Sequence, residues 1–308
     1  MKGLDLAEAF YQTHGAPMIE NHFGSYVQRI AVGLAGPGSE CFGFDDDISR
    51  DHDWGPGFCI WLTETDYQRF GKDLQQAYEN LPQTFMGFGP SRVSPEEQGR
   101  KGVTTIGTFF RTYTGLNGPP ASLKEWLTIP EPSLAACTNG KVFSDPLGDF
   151  SHWRKDLLKY YPEDVRLKKL ASRCFTAGQA GQYNFSRSLK RKEFFAAHYA
   201  ESTFCADIIS IVFLLNKHFS PFYKWMHRAL KYLPLLGNEI YALIAGLVVC
   251  RGYDRKQEVM ENICVQIAAA LRDEGLSDAP GDFLVDHAHR IHERIEDRRL
   301  KARFFVVK

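Results

Sequence analysis

Near residue 150 the chain changes texture, and this constrains its fold more than any other feature. Before that point glycine and proline are frequent, and short apolar runs alternate with turns. After it come long stretches with helical spacing, at 153–160, 162–176, 194–218, 222–232, 240–249, 257–272 and 282–300. In 257–272 the apolar residues Met260, Ile263, Cys264, Ile267 and Leu271 recur at intervals of three and four, as one face of a helix requires. Short breaks at Pro221, 234–237 and 275–281 separate these segments. In the first half, 29–34, 58–62, 103–106 and 141–143 read as strands. Helices are expected over 65–81, with Thr63 or Thr65 placed to cap the start, and over 122–137. The expected class is therefore α+β: a mixed sheet flanked by helices in 1–150, then an all-α helical bundle in 151–308.

With 308 residues the chain is long enough for two domains of ordinary size. Its 37 Lys and Arg balance 37 Asp and Glu. That neutrality gives no bulk attraction to a polyanion, so a small-molecule or protein partner is expected rather than long nucleic acid. Seven cysteines, an odd number without any CxxC spacing, indicate neither a disulfide framework nor a zinc ribbon. They read as buried thiols in a reducing compartment. The N-terminal residues meet acid at once and lack an apolar signal core. The two most apolar stretches, 204–215 and 233–249, are interrupted by Asp207 and by Asn238-Glu239. Both fall short of the roughly 20 apolar residues of a membrane span. A cytoplasmic protein without a membrane partner is the expectation.

The stretch 38–53 carries the chemistry. Gly38-Ser39 follows the first strand run, and Asp51-x-Asp53 reads as the opening of the next strand. In a strand, side chains at i and i+2 share a face, so these carboxylates would converge while His52 turned away. Two adjacent carboxylates repel unless a cation lies between them, and oxygen ligands suit Mg²⁺. A Gly-Ser turn offers backbone N–H groups and a hydroxyl to phosphate oxygens. The competing reading is a solvated acidic loop, since Gly-Ser recurs at 24–25 and Asp45-x-Asp47 repeats the acidic pattern. A calcium loop beginning at Asp45 fails, with Arg50 sixth in place of glycine and Pro56 twelfth in place of glutamate.

Gly38-Ser39-x-x-x-Gly43 followed by Asp51-x-Asp53 resembles the signature of the polymerase-β-type nucleotidyltransferase superfamily. More narrowly, Gly-Phe-Asp-Asp-Asp-Ile-Ser-Arg-Asp-His-Asp-Trp-Gly-Pro (43–56) resembles an uncharacterised bacterial family of nucleotidyltransferase-like proteins that carry a domain of unknown function. The likeness extends to 125–127, 140–145, 160–165 and 220–225. It implies an ATP-dependent nucleotidyltransferase using Mg²⁺, two ions in all, that moves AMP onto an acceptor hydroxyl and releases pyrophosphate. On this resemblance Gly38 and Ser39 hold the β- and γ-phosphates, and Asp51 and Asp53 bind metal. Where relatives carry a glutamate before the third strand, this chain has Gly102. Asp145 is then the candidate third carboxylate, both metal ligand and base; its other reading is a turn residue before Pro146. Lys224 and Arg187 are the candidate phosphate cations from the helical domain, or else ordinary exposed residues. Residues 1–150 would form the catalytic domain, and 151–308 would complete the nucleotide and substrate cleft. The alternative is an inactive nucleotide-binding or protein-interaction module of the same fold. His287 and His289 lie about 200° apart on a helix, and His289, His292 and Glu293 read as an exposed polar helix surface. No Gly-x-Ser-x-Gly elbow supports a hydrolase.

Overall fold

The computed structural model describes residues 1–89 and 100–302. Its class is α+β, with one four-stranded mixed sheet in the first half and helices throughout the second. The chain divides into two compact units, one of 1–121 with 129–159 and one of 122–128 with 160–308.

In the first unit the strands are β1 (Ala31–Leu34), β2 (Cys59–Leu62), β3 (Gly102–Thr105) and β4 (Lys141–Ser144), in the order β3-β2-β1-β4. β1 is antiparallel to β2, with Gly33 opposite Cys59, and to β4, with Leu34 opposite Lys141; β2 and β3 are parallel from Cys59 and Gly102. Every residue of β1 and β2 is buried, which explains why both are short apolar runs without alternation.

Alternate side chains of β2 still serve different layers. Ile60 and Leu62 join Val32, Phe10, Ile19, Phe70 and Leu74 in one core, covered by the helices Gly3–Phe10, Ala16–Phe23 and Lys72–Glu79. Trp61 faces the other layer. Its ring stacks on Phe150 at 3.8 Å and meets Phe109 edge-on at 5.4 Å, joining the sheet to the helices Asp149–Leu158 and Ile106–Thr114. Such a pair contributes about 0.5–1.5 kcal/mol beyond its buried area.

Thr63 caps the helical segment that begins at Glu64, its hydroxyl accepting from the Asp66 N–H at 3.2 Å. The helix expected over 122–137 is in fact two, Leu123–Thr128 and Glu131–Thr138, because Pro130 cannot continue the first. The second of these belongs to the first unit, whereas Leu123–Thr128 belongs to the other.

The second unit is helical. Phe194–Leu215 is long and apolar enough to cross a membrane by composition alone, yet 72% of that stretch is buried, as in a core helix. It packs against Glu163–Ala177, which in turn packs on Leu284–Glu293. Tyr253–Asp273 buries Met260, Ile263, Cys264, Ile267 and Leu271, the face its spacing specified. Lys256 and Glu201 form a buried ion pair, and half-buried Arg173 pairs with buried Asp207 at 2.9 Å. His287 is fully buried, on the side of its helix away from the exposed His289 and Glu293. It hydrogen-bonds Ser277 Oγ and the Gly281 carbonyl, both at 2.9 Å, pinning the connection that precedes its helix. All seven cysteines are free thiols and six are buried.

Candidate functional site

The pairing register sorts the candidate residues between the two ends of the sheet. Leu34, Lys141, Cys59 and Gly102 mark one end, where β1 finishes and the other three strands begin. Gly38, Ser39, Asp51, Asp53 and Arg100 all lie on chain that leaves or enters there.

Gly38 leads into a 3₁₀ turn, Ser39–Phe42, closed by the Phe44 N–H on the Ser39 carbonyl at 2.9 Å and by left-handed Gly43. The turn is fastened to the start of β4 through the Gly140 N–H on the Cys41 carbonyl, 2.9 Å. Ser39 Oγ makes no hydrogen bond among the described residues. Glu40 folds inward and pairs with Arg100; their side chains are 4% and 5% exposed. The same Arg100 nitrogen, Nη2, donates to the Asp53 carbonyl at 3.0 Å. A Cβ on Gly38 would lie 2.1 Å from Arg100 Nη1 and 2.5 Å from a Glu40 carboxylate oxygen, so this glycine is required by close approach of the ion pair.

Asp51 and Asp53 are not on a strand. The chain from Phe44 to Phe58 is a loop pinned by its own side chains, and β2 begins only at Cys59. Asp45 is buried and accepts from the Gly3 N–H at 2.7 Å and from Trp54 Nε1 at 3.1 Å. Asp46 accepts from the N–H groups of Ile48 and Ser49, both at 3.1 Å. Asp51 follows the short turn Ile48–Arg50, and Asp53 has a left-handed φ of 57°. His52 therefore does not point away from the two carboxylates but contacts both, with Nδ1 2.6 Å from Asp51 Oδ1 and Nε2 3.9 Å from Asp53 Oδ2. The carboxylates thus converge on opposite edges of one ring. Asp51 is 66% exposed and Asp53 15%, an arrangement open to solvent on one side and fixed on the other.

Among the described residues no cluster of three or more His, Cys, Asp or Glu side chains is poised on one metal.

Asp145 is corrected by the structure. It leaves β4 at the far end of the sheet from the pair. Its carboxylate accepts from the N–H groups of Gly148 at 3.1 Å and Ser151 at 2.7 Å, capping the helix Asp149–Leu158. Lys224 and Arg187 are exposed in the second unit, Lys224 Nζ lying 5.2 Å from the Trp225 ring and the Arg187 guanidinium 4.7 Å from that of Tyr183.

Sequence reading missed Arg100 and Lys101, which lie just ahead of β3. Lys101 Nζ donates to the Gly55 carbonyl at 2.9 Å, and burial, with the neighbouring Arg100 charge, lowers its pKa. Cys59 Sγ donates to the Arg100 carbonyl at 3.1 Å. Burial pushes the Cys59 thiol up to about 11 and Cys41 well above its ordinary value, so neither is a ready nucleophile. A separate cavity of about 620 Å³ opens in the second unit among Glu163, Arg166, Lys217, Glu274 and Arg294. None of the candidate residues lines it.

Residues 126–226 match the model of a family described as a domain of unknown function (DUF4037). No curated protein matches the chain. Among solved structures it is similar to a nucleotidyltransferase-like protein from Exiguobacterium sibiricum 255-15, at 10% identity over 87% of this chain and 76% of that one. The TM-score of 0.35 makes that likeness too distant to carry an assignment.

Proposed function

We propose that the protein is a cytoplasmic nucleotidyltransferase that moves AMP from ATP onto the hydroxyl of a small-molecule or protein acceptor. One observation carries this reading: a single guanidinium nitrogen of Arg100 touches both Glu40, beside the Gly38-Ser39 turn, and the main chain of Asp53. The two halves of the motif, twelve and more residues apart, are thereby held at one end of the sheet. Asp51 and Asp53 would hold Mg²⁺, which when bound neutralises phosphate charge and orients the triphosphate. The Gly38-Ser39 turn contributes a hydroxyl to phosphate oxygens. In the reaction the acceptor oxygen forms a bond to the α-phosphorus and gives up its proton to solvent water, the bond from the α-phosphorus to the α,β-bridging oxygen breaks, and pyrophosphate leaves. Pyrophosphate release from Mg·ATP with cell extract as acceptor source tests this, against an Asp51→Ala control.

A second reading has its own support. Asp145 caps a helix at the other end of the sheet, and among the described residues no third acid joins Asp51 and Asp53 in a metal-binding cluster. This favours a protein that binds nucleotide without turning it over. Saturable Mg·ATP binding with no pyrophosphate release, whatever acceptor is offered, would select it.

A further inference from the structure

We propose that Arg100 is the positioning residue of this site, acting on bound metal and nucleotide through Asp53 and the Gly38-Ser39 turn without touching either ligand. The inference rests on the nucleotide-site reading above.

Burial decides that its role is indirect. With its side chain 5% exposed and its charge matched by Glu40 at 4%, the guanidinium faces protein on all sides. What it touches are the parts that must be held. It lies against Gly38 Cα, as the 2.1 Å approach of a hypothetical Cβ to Nη1 shows. It pairs with Glu40 in the turn and donates to the carbonyl of Asp53 at 3.0 Å. Asp53 is in the left-handed region at φ 57°, which a non-glycine residue keeps only when its surroundings enforce it. The next residue repeats the device, Lys101 Nζ holding the Gly55 carbonyl at 2.9 Å. Residues 100 and 101 together grip alternate carbonyls of the loop that carries the metal-binding pair. Both contacts are made by Nη2, at the tip of the guanidinium; a lysine chain ends one bond earlier, where the guanidinium carbon lies, so its ammonium does not take that place in the same geometry.

The experiment is calorimetric titration of the full chain with Mn²⁺ alone and with Mg·ATP, alongside thermal unfolding, for the parent, Arg100→Lys and Glu40→Gln. Arg100→Lys keeps the charge next to Glu40 and loses the Nη2 donor that reaches the Asp53 carbonyl. It is expected to remain folded at the titration temperature, yet to bind both Mn²⁺ and Mg·ATP at least tenfold more weakly. Lower melting temperature with unchanged affinities would make the pair a structural ion pair only and overturn the proposal. Should Arg100→Lys fail to fold, Glu40→Gln decides. That variant keeps the arginine and the shape of its partner, and it too should lose affinity for both ligands; parent-like affinities would overturn the proposal. A parent that binds neither Mn²⁺ nor Mg·ATP removes the nucleotide-site reading itself, whereas a binding parent with indifferent variants removes only the role of Arg100.

Discussion

Arg100 Nη2 donates to the main-chain oxygen of Asp53 at 3.0 Å, across 47 residues of chain. Together with its ion pair to Glu40, this bond makes the end of the sheet where β1 finishes a single assembly of turn, loop and strand start. Glycine at 38 is part of that assembly. Gly38→Ala places a methyl group against Arg100 Nη1 and both Glu40 carboxylate oxygens, 2.1–2.7 Å away in the present geometry. Overpacking of this kind costs about 1–3 kcal/mol. Urea unfolding should show a midpoint lowered accordingly, and a midpoint equal to that of the parent would contradict the packing described.

Ser39 tests the phosphate turn more cleanly, because its hydroxyl has no hydrogen-bond partner among the described residues. Ser39→Ala should leave stability almost unchanged. Loss of one charge-assisted bond to phosphate, about 1.5–3 kcal/mol, lowers Mg·ATP affinity by roughly one to two orders of magnitude. Parent-like affinity would leave the turn with a structural role alone.

Asp145 should behave as a helix cap. Asp145→Ala removes the acceptor for the N–H groups of Gly148 and Ser151, which costs about 0.5–2 kcal/mol of stability. Mg·ATP affinity should not change. A variant of native stability that no longer binds Mg·ATP would return Asp145 to the site.

The buried His287 supplies a pH dependence. Burial, the first cause, lowers its pKa below the ordinary 6.5, with Arg272 acting in the same direction. The folded state therefore holds fewer protons on this ring than the unfolded state between that depressed value and 6.5. Its stabilising contribution is complete above pH 6.5 and falls away as pH drops through the folded-state value. His292 is shifted the same way, again chiefly by burial. Denaturant titrations from pH 7.5 to pH 5 should show stability decreasing toward acid, with a shallower slope in His287→Gln. An unchanged slope would place the acid sensitivity elsewhere.

Periodicity made the helical second half and the strands legible, since burial of Met260 to Leu271 and of β2 is written in spacing and apolar content. Local chemistry revealed the Thr63 cap for the same reason: donor and acceptor are three residues apart. The loop carrying Asp51 and Asp53 was misread as a strand start because its conformation is set by remote partners. Asp45 reaches 42 residues to Gly3, and Arg100 reaches 60 to Glu40. No short-range pattern encodes such bonds. Asp145 misled for the opposite reason, its acceptor role lying within six residues but resembling a site acid in sequence.

In the proposed reading Asp51 and Asp53 hold a divalent cation with its nucleotide. Calorimetric titration of the parent, Asp51→Asn and Asp53→Asn with Mg·ATP tests it most directly. The parent should bind saturably, and each variant should lose binding while keeping the parent's melting temperature or exceeding it, since one of two like charges is removed. Parent-like affinity in both variants would contradict the claim.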